Sequence, residues 1–193
     1  MCKANTTNLD LNQLRQACDD AAARILKICE ASNVKIACAE SLTGGLLADA
    51  FVRIPGASNV FLGSAVTYDI KAKASVLGVD RDLLEREGAV HPEVARQMAV
   101  ATARLYGQPE YGGLVIGLST TGVAGPGPDG DKPAGLVYIG FCIPAGLWVE
   151  STTGAAGAEP RIEAVELRLS GTREKVREQT VFNVLQHLST LLS

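Results

Sequence analysis

Histidine is scarce in this chain of 193 residues: only His91 and His187 occur, far apart and without ligand spacing. That spacing argues against a zinc site. The five cysteines, Cys2, Cys18, Cys29, Cys38 and Cys142, are odd in number and form no CxxC pair. All but Cys2 fall in apolar patterns, which suits buried thiols in a reducing compartment better than a disulfide framework. No run approaches the ~20 apolar residues that a membrane helix needs. The first eight residues lack the apolar core of a secretory signal. The cytoplasm is therefore the expected location. Basic residues are not in excess either. Eighteen Lys and Arg against 21 Asp and Glu leave a net charge of −3, with no electrostatic footprint for nucleic acid.

What is present is an ordinary globular composition, 47% apolar and 20% charged, and enough chain for one substantial core. A short lead over 1–9 without structure, followed by one domain over 10–193, is the expected organisation. Leu11, Leu14, Cys18, Ala21, Ile25 and Ile28 recur at helical spacing after Asp10, a plausible cap. Further helices are expected over 44–53, after Asp69, over 80–86, from Pro92 to Leu105, and over 172–192. Strands are expected over 34–38, 60–68, 114–119, 136–143, 147–152 and 162–169. Helices alternate with strands early and a strand meander comes late. The pattern implies an α/β fold with a mixed sheet of about six strands covered by helices on both faces.

The most informative stretch is Ala39-Glu40-Ser41-Leu42-Thr43-Gly44-Gly45, between an apolar strand and a helix start. Backbone N–H groups at a helix start lack intrahelical partners and favour negative charge. Two adjacent glycines let a ligand approach the backbone. The turn thus combines a candidate nucleophile, Ser41, with a candidate anion or oxyanion cradle. It also suits a plain connection with Ser41 or Thr43 as the helix cap.

Two further polar loops follow strand ends, where ligands bind in open α/β sheets. In Tyr68-Asp69-Ile70-Lys71-Ala72-Lys73 a lysine with a lowered pKa would serve as base for a serine, and a tyrosine would relay a proton. Solvated surface lysines are the plainer alternative. The loop from Thr121 to Pro133, rich in Gly and Pro, offers N–H groups, hydroxyls and Lys132 to a phosphate or carboxylate, yet it is neither a Walker loop nor a Rossmann fingerprint. Arg173, at the start of the last helix, favours an anion or forms a surface salt bridge. His91, before Pro92, reads as a helix cap. Glu40 would orient Ser41 or Lys73, or pair with a basic residue. If the three strands are neighbours, their loops converge.

Taken together, these segments resemble the family of the C-terminal domain of the competence/damage-inducible protein CinA, the nicotinamide-nucleotide amidohydrolases or NMN deamidases. The family's A-E-S-C-T-G-G turn is matched at Ala39 to Gly45, and its P-G-x-S segment at Pro55-Gly56-Ala57-Ser58. Its Y-S-N-x-x-K pattern is matched at Tyr68 and Lys73, and its H/E-G-A-V segment at Glu87-Gly88-Ala89-Val90. Its T-G-I-A-G-P loop corresponds to Thr121-Gly122-Val123-Ala124-Gly125-Pro126, its K-P-x-G to Lys132-Pro133-Ala134-Gly135, and its G-D-R to Gly171-Thr172-Arg173. The sequence departs from the family at Leu42, where cysteine is common, and at Asp69-Ile70, where Ser-Asn is usual.

The resemblance implies a three-layer α/β/α sandwich and hydrolysis of the carboxamide of nicotinamide mononucleotide to nicotinate mononucleotide and ammonia; the alternatives are an amidase for another small substrate and a non-catalytic nucleotide-binding or regulatory member of the same fold. It implies a serine amidase without histidine, metal or cofactor. Ser41 would attack, with Lys73 as base helped by Tyr68, and the N–H groups of Gly44 and Gly45 would hold the oxyanion. Glu40, Thr43, Gly44, Gly45, Thr121, Gly122, Gly125 and Arg173 would contact the substrate. The implied partners are a small-molecule nucleotide and further copies of the chain in a homodimer or larger assembly, with neither nucleic acid nor membrane. Longer members carry a separate nucleotide-hydrolysing domain, whose activity is not expected of this chain.

Overall fold

The computed structural model describes residues 9–148 and 159–192. Helix α1 (Leu11–Ala31) opens on a capping box in which Asp10 accepts from the Gln13 N–H and the Gln13 side chain accepts from the Asp10 N–H. Strand β1 (Lys35–Glu40), helix α2 (Leu46–Val52) and strand β2 (Phe61–Val66) follow. Helices α3 (Ile70–Leu77), α4 (Arg81–Glu87) and α5 (Pro92–Tyr106) come next. Strands β3 (Val115–Gly122), β4 (Leu136–Ile143) and β5 (Arg161–Arg168) lead to helix α6 (Arg173–Leu191). Asp69, Asp80, His91 and Thr172 each cap the helix that follows them.

The strands form one sheet in the order β2-β1-β3-β4-β5. Strand β1 is parallel to both β2 and β3, while β4 and β5 return antiparallel. The mixed, two-faced sheet matches the expectation, with five strands rather than about six. Of the strand expected over 147–152, Leu147 and Trp148 lie in a bend, and the rest is outside the described residues. The expected N-terminal lead also lies outside them, apart from Leu9.

Side chains alternate across the sheet and sort it into two unlike faces. Ile36, Cys38, Ile116, Leu118, Ile139 and Phe141 join α1, α2 and α6 in the main core. The other face carries small residues, Ala37, Ala39, Gly117, Ser119 and Gly140, under α5. A Cβ at Gly117 would run into the Ala99 carbonyl, and one at Gly140 into the Ala95 carbonyl. Helix α5 therefore rests its backbone almost directly on β3 and β4, and the Ser119 hydroxyl donates to the Ala95 carbonyl at 2.6 Å. A smaller core of Leu77, Val79, Leu83, Leu84, Val94 and Met98 ties α3 and α4 to α5. Cys18, Cys29 and Cys38 are buried free thiols, and burial pushes the first two up to about 12.

Strands β1 and β3 run further than their apolar runs indicate. Glu40 ends β1, and Thr120, Thr121 and Gly122 still pair with β4. Buried polar residues are tolerated there because their hydroxyls are satisfied. Thr120 shares a 2.8 Å bond with Thr43, and Thr121 donates to the Ala89 carbonyl at 2.7 Å. No helix among the described residues is long and apolar enough to cross a membrane.

Candidate active site

The parallel register brings the three polar loops to one edge of the sheet. Glu40 stands opposite Val66 on one side and Thr120 on the other. The residues after β1, after β2 and at the end of β3 therefore meet. A cleft of about 310 Å³ opens there, lined by Ser41, Leu42, Tyr68, Val90, residues 121–129 and Arg173. A roomier groove of about 780 Å³ runs between α3 and α5, but it holds neither Ser41 nor Lys73. The cleft is singled out by its chemistry rather than its size.

Ser41 and Lys73 lie 32 residues apart in sequence and touch in space. Lys73 Nζ is 3.0 Å from Ser41 Oγ and donates to the Thr67 carbonyl at 2.5 Å. Lys73 is fully buried and Ser41 is 8% exposed. Burial drives the Lys73 ammonium from its usual 10.5 down to about 8, against a smaller upward pull from the Asp69 carboxylate. Asp69, the departure from the family pattern, accepts from the N–H groups of Lys71 and Ala72 and caps α3. Its carboxylate thus starts the helix that carries the lysine, and its charge is outweighed by desolvation.

The turn between β1 and α2 is built around Glu40. This fully buried carboxylate accepts from the Thr43 hydroxyl at 2.7 Å and from the N–H groups of Gly45, Leu47 and Ala48 at 2.9 to 3.0 Å. It also accepts from the Ser64 hydroxyl at 2.8 Å. The N-terminus of α2 is occupied by the protein's own anion, which reaches back from β1 and does the work of a cap. The Gly44 N–H is likewise spent, on the Ser41 carbonyl at 3.1 Å. This corrects the sequence reading: the N–H groups of Gly44 and Gly45 hold the turn together and leave nothing for an oxyanion. Glu40 and Thr43 shape the turn from behind. Within it, the N–H groups of Leu42 and Thr43 have no partner among the described residues.

Tyr68 is 62% exposed, and its hydroxyl accepts from Arg173 Nη2 at 3.0 Å. It contacts the arginine rather than Lys73 or Ser41, so its place is on the cleft wall. Arg173 Nη1 donates to the Gly125 carbonyl at 2.6 Å. Arg173 is the single cation lining the cleft among the described residues, and Asp129 is the carboxylate there. Thr121, Gly122 and Gly125 line the same cleft. A Cβ at Gly122 would clash with the backbone of Leu136 and Val137, which explains glycine at the strand end. Lys132 lies outside the cleft and pairs with Asp131 at 3.3 Å. His91 Nδ1 accepts from the Glu93 N–H, as a cap.

Two contributors escaped the sequence reading. The Thr67 carbonyl holds Lys73, while the Thr67 hydroxyl is buried without a partner. Arg177 on α6 reaches the carbonyls of Leu42 and Thr43. Its one legible signal is the spacing of four from Arg173, which puts both on one helix face.

The geometry has counterparts among known proteins. The family model described as "CinA C-terminal domain" matches residues 18–192. A protein of Clostridium novyi (strain NT) is 40% identical over 158 residues, covering 81% of this chain and 33% of that protein. One from Clostridium botulinum (strain 657 / Type Ba4) is 43% identical over 157 residues, with coverage of 81% and 33%. Both bear competence-damage inducible protein as a provisional name. The chain thus spans about a third of the length of these curated relatives. The crystal structure of the competence/damage inducible protein CihA from Agrobacterium tumefaciens superposes with a TM-score of 0.76 at 29% identity, over 92% of this chain and 96% of that one. A CinA superfamily protein from Klebsiella pneumoniae 700603 gives 0.75 at 26% identity, over 91% and 97%. Motifs, sheet topology and these matches agree along nearly the whole length, and the chain belongs to the CinA C-terminal domain family.

Proposed function

We propose that this domain hydrolyses the carboxamide of nicotinamide mononucleotide to nicotinate mononucleotide and ammonia, with Ser41 as nucleophile and Lys73 as general base. The observation that carries the reading is the 3.0 Å approach of Lys73 Nζ to Ser41 Oγ inside a buried site. With a pKa of about 8, roughly a quarter of Lys73 is neutral at pH 7.5. A neutral amine has two hydrogens and one lone pair. One hydrogen goes to the Thr67 carbonyl, and the lone pair takes the Ser41 proton.

Ser41 Oγ attacks the carboxamide carbon, and the carbonyl oxygen becomes an oxyanion. The unpaired N–H groups of Leu42 and Thr43 are the donors available to it, in the position next to the nucleophile that serves this purpose in other serine hydrolases. Lys73 then passes its proton to the amide nitrogen, and the C–N bond breaks to release ammonia. Water attacks the acyl-serine with Lys73 again as base, and the carboxylate product leaves. Arg173 is the group suited to the substrate phosphate. Ammonia release from nicotinamide mononucleotide by the purified protein tests the reading. Turnover should vanish in Ser41→Ala, and a variant that keeps full turnover would remove Ser41 from the nucleophile's role.

A second reading, an amidase for a small amide without phosphate, is favoured by one observation. Arg173 is already engaged by Gly125 and Tyr68, and Asp129 sets a negative charge on the same wall. Comparing turnover of the mononucleotide with that of its dephosphorylated riboside separates the two.

A further inference from the structure

Arg177 does not line the cleft, yet it grips the turn that carries the nucleophile. Its Nε donates to the Leu42 carbonyl at 2.9 Å, and its Nη2 donates to the Thr43 carbonyl at 2.7 Å. No carboxylate forms a salt bridge with it among the described residues. The planar guanidinium fork is thus committed to two successive peptide oxygens.

Each peptide is rigid and planar, so fixing its oxygen fixes the direction of its N–H. The Leu42 oxygen shares a peptide with the Thr43 N–H, one of the two unpaired donors beside Ser41. A cation on that oxygen also polarises the amide and strengthens its N–H as a donor. The turn needs such an external hold. Gly44 and Gly45 follow directly, with φ of 55° and 100°, and glycines restrain the adjoining peptides less than any other residue.

We propose that Arg177 is a positioning residue for the reaction: by bridging the Leu42 and Thr43 carbonyls it fixes the turn and aims the Thr43 N–H at the oxyanion. The inference rests on the amidase reading of Ser41. Lysine would not substitute, because one ammonium cannot span both oxygens with the same fixed geometry.

The test compares Arg177→Met and Arg177→Lys with the unaltered protein in two assays. In deamidation of nicotinamide mononucleotide, kcat of Arg177→Met should fall about 100-fold, the scale of one lost oxyanion donor. KM should stay within about 2-fold, because the ground-state contacts are untouched. Arg177→Lys should recover little, and added methylguanidinium should restore part of the Arg177→Met rate. In the second assay a fluorophosphonate probe phosphonylates Ser41 directly: the Oγ–P bond forms, the P–F bond breaks, fluoride leaves and Lys73 takes the proton. Labelling should slow in both variants. Labelling at the unaltered rate, full activity in Arg177→Lys, or a loss confined to KM would each overturn the proposal. Arg177→Lys carries the test if Arg177→Met does not fold. Failure of the substrate reading is distinct: the unaltered protein would be labelled at Ser41 yet release no ammonia from the mononucleotide.

Discussion

Around Ser41 the turn is held from three directions, while the loop facing it from 123 to 134 has few ties. Glu40 gathers three N–H groups and two hydroxyls, the Thr120 carbonyl accepts the Ser41 N–H, and Arg177 takes two carbonyls. The facing loop is anchored near its ends by bonds between Val123 and Leu136 and between Gly135 and Val123. In between, its ties among the described residues are the paired Asp129 and Lys132 backbones, the Leu136 N–H on the Pro133 carbonyl, the Lys132–Asp131 ion pair and the Arg173 grip on Gly125. The contrast separates two tasks. On the proposed reading, bond-breaking geometry must hold to a fraction of an ångström, and it stands on a buried turn held by many hydrogen bonds. A wall that meets the substrate can remain a loop.

Three substitutions bear on that contrast, in decreasing order of effect. Lys73→Met should abolish turnover, with kcat down ~1,000-fold or more. It should also change the pH dependence of stability. The Lys73 pKa is about 8 when folded against 10.5 when unfolded, so between those values the unfolded chain binds more protons. Stability of the unaltered protein therefore rises through that window, by roughly 3 kcal/mol in all. Denaturant titrations of Lys73→Met from pH 7 to 10.5 should lack that rise. For the unaltered enzyme, kcat/KM should climb as pH passes about 8 and Lys73 loses its proton.

Glu40→Gln comes next. An amide offers one oxygen and turns an NH₂ group toward N–H donors, so buried donors lose their acceptor. A loss of about 3 kcal/mol is expected, visible as a Tm lower by roughly 8 °C. Smallest is Arg173→Gln, which loosens the loop rather than the turn. KM for the mononucleotide should rise about 10-fold with kcat within about 2-fold, and the melting temperature should hardly move. If Arg173→Gln instead destabilised the protein as much as Glu40→Gln, the contrast between turn and loop would fail.

Much of this was legible in the sequence, for reasons that differ from residue to residue. Helical spacing and caps placed α1, α5 and α6 because amphipathic periodicity is local. Ser41, Lys73 and Thr121 were singled out because polar residues after apolar strands mark loop ends, and the parallel pairing places them at one edge of the sheet. Glu40 was misjudged because its role depends on reach: a carboxylate at a strand end satisfies donors up to Ala48, eight residues away. The Gly44 and Gly45 N–H groups were read as oxyanion donors for the same reason, since nothing local shows that the Ser41 carbonyl and Glu40 consume them. Arg177 lies 135 residues from Leu42, a distance no local pattern encodes. The ends of β1 and β3 were cut short because Glu40, Thr120 and Thr121 look like loop residues until their partners are known.

Arg173 and Arg177 stand one turn apart on α6, separated along its axis by about 6 Å. Arg173 braces the cleft wall at Gly125, and Arg177 braces the turn that follows Ser41. A helix packed into the core acts here as a gauge block between the two halves of the candidate site. If α6 shifts, both settings shift by the same amount, and the gap between wall and turn is conserved.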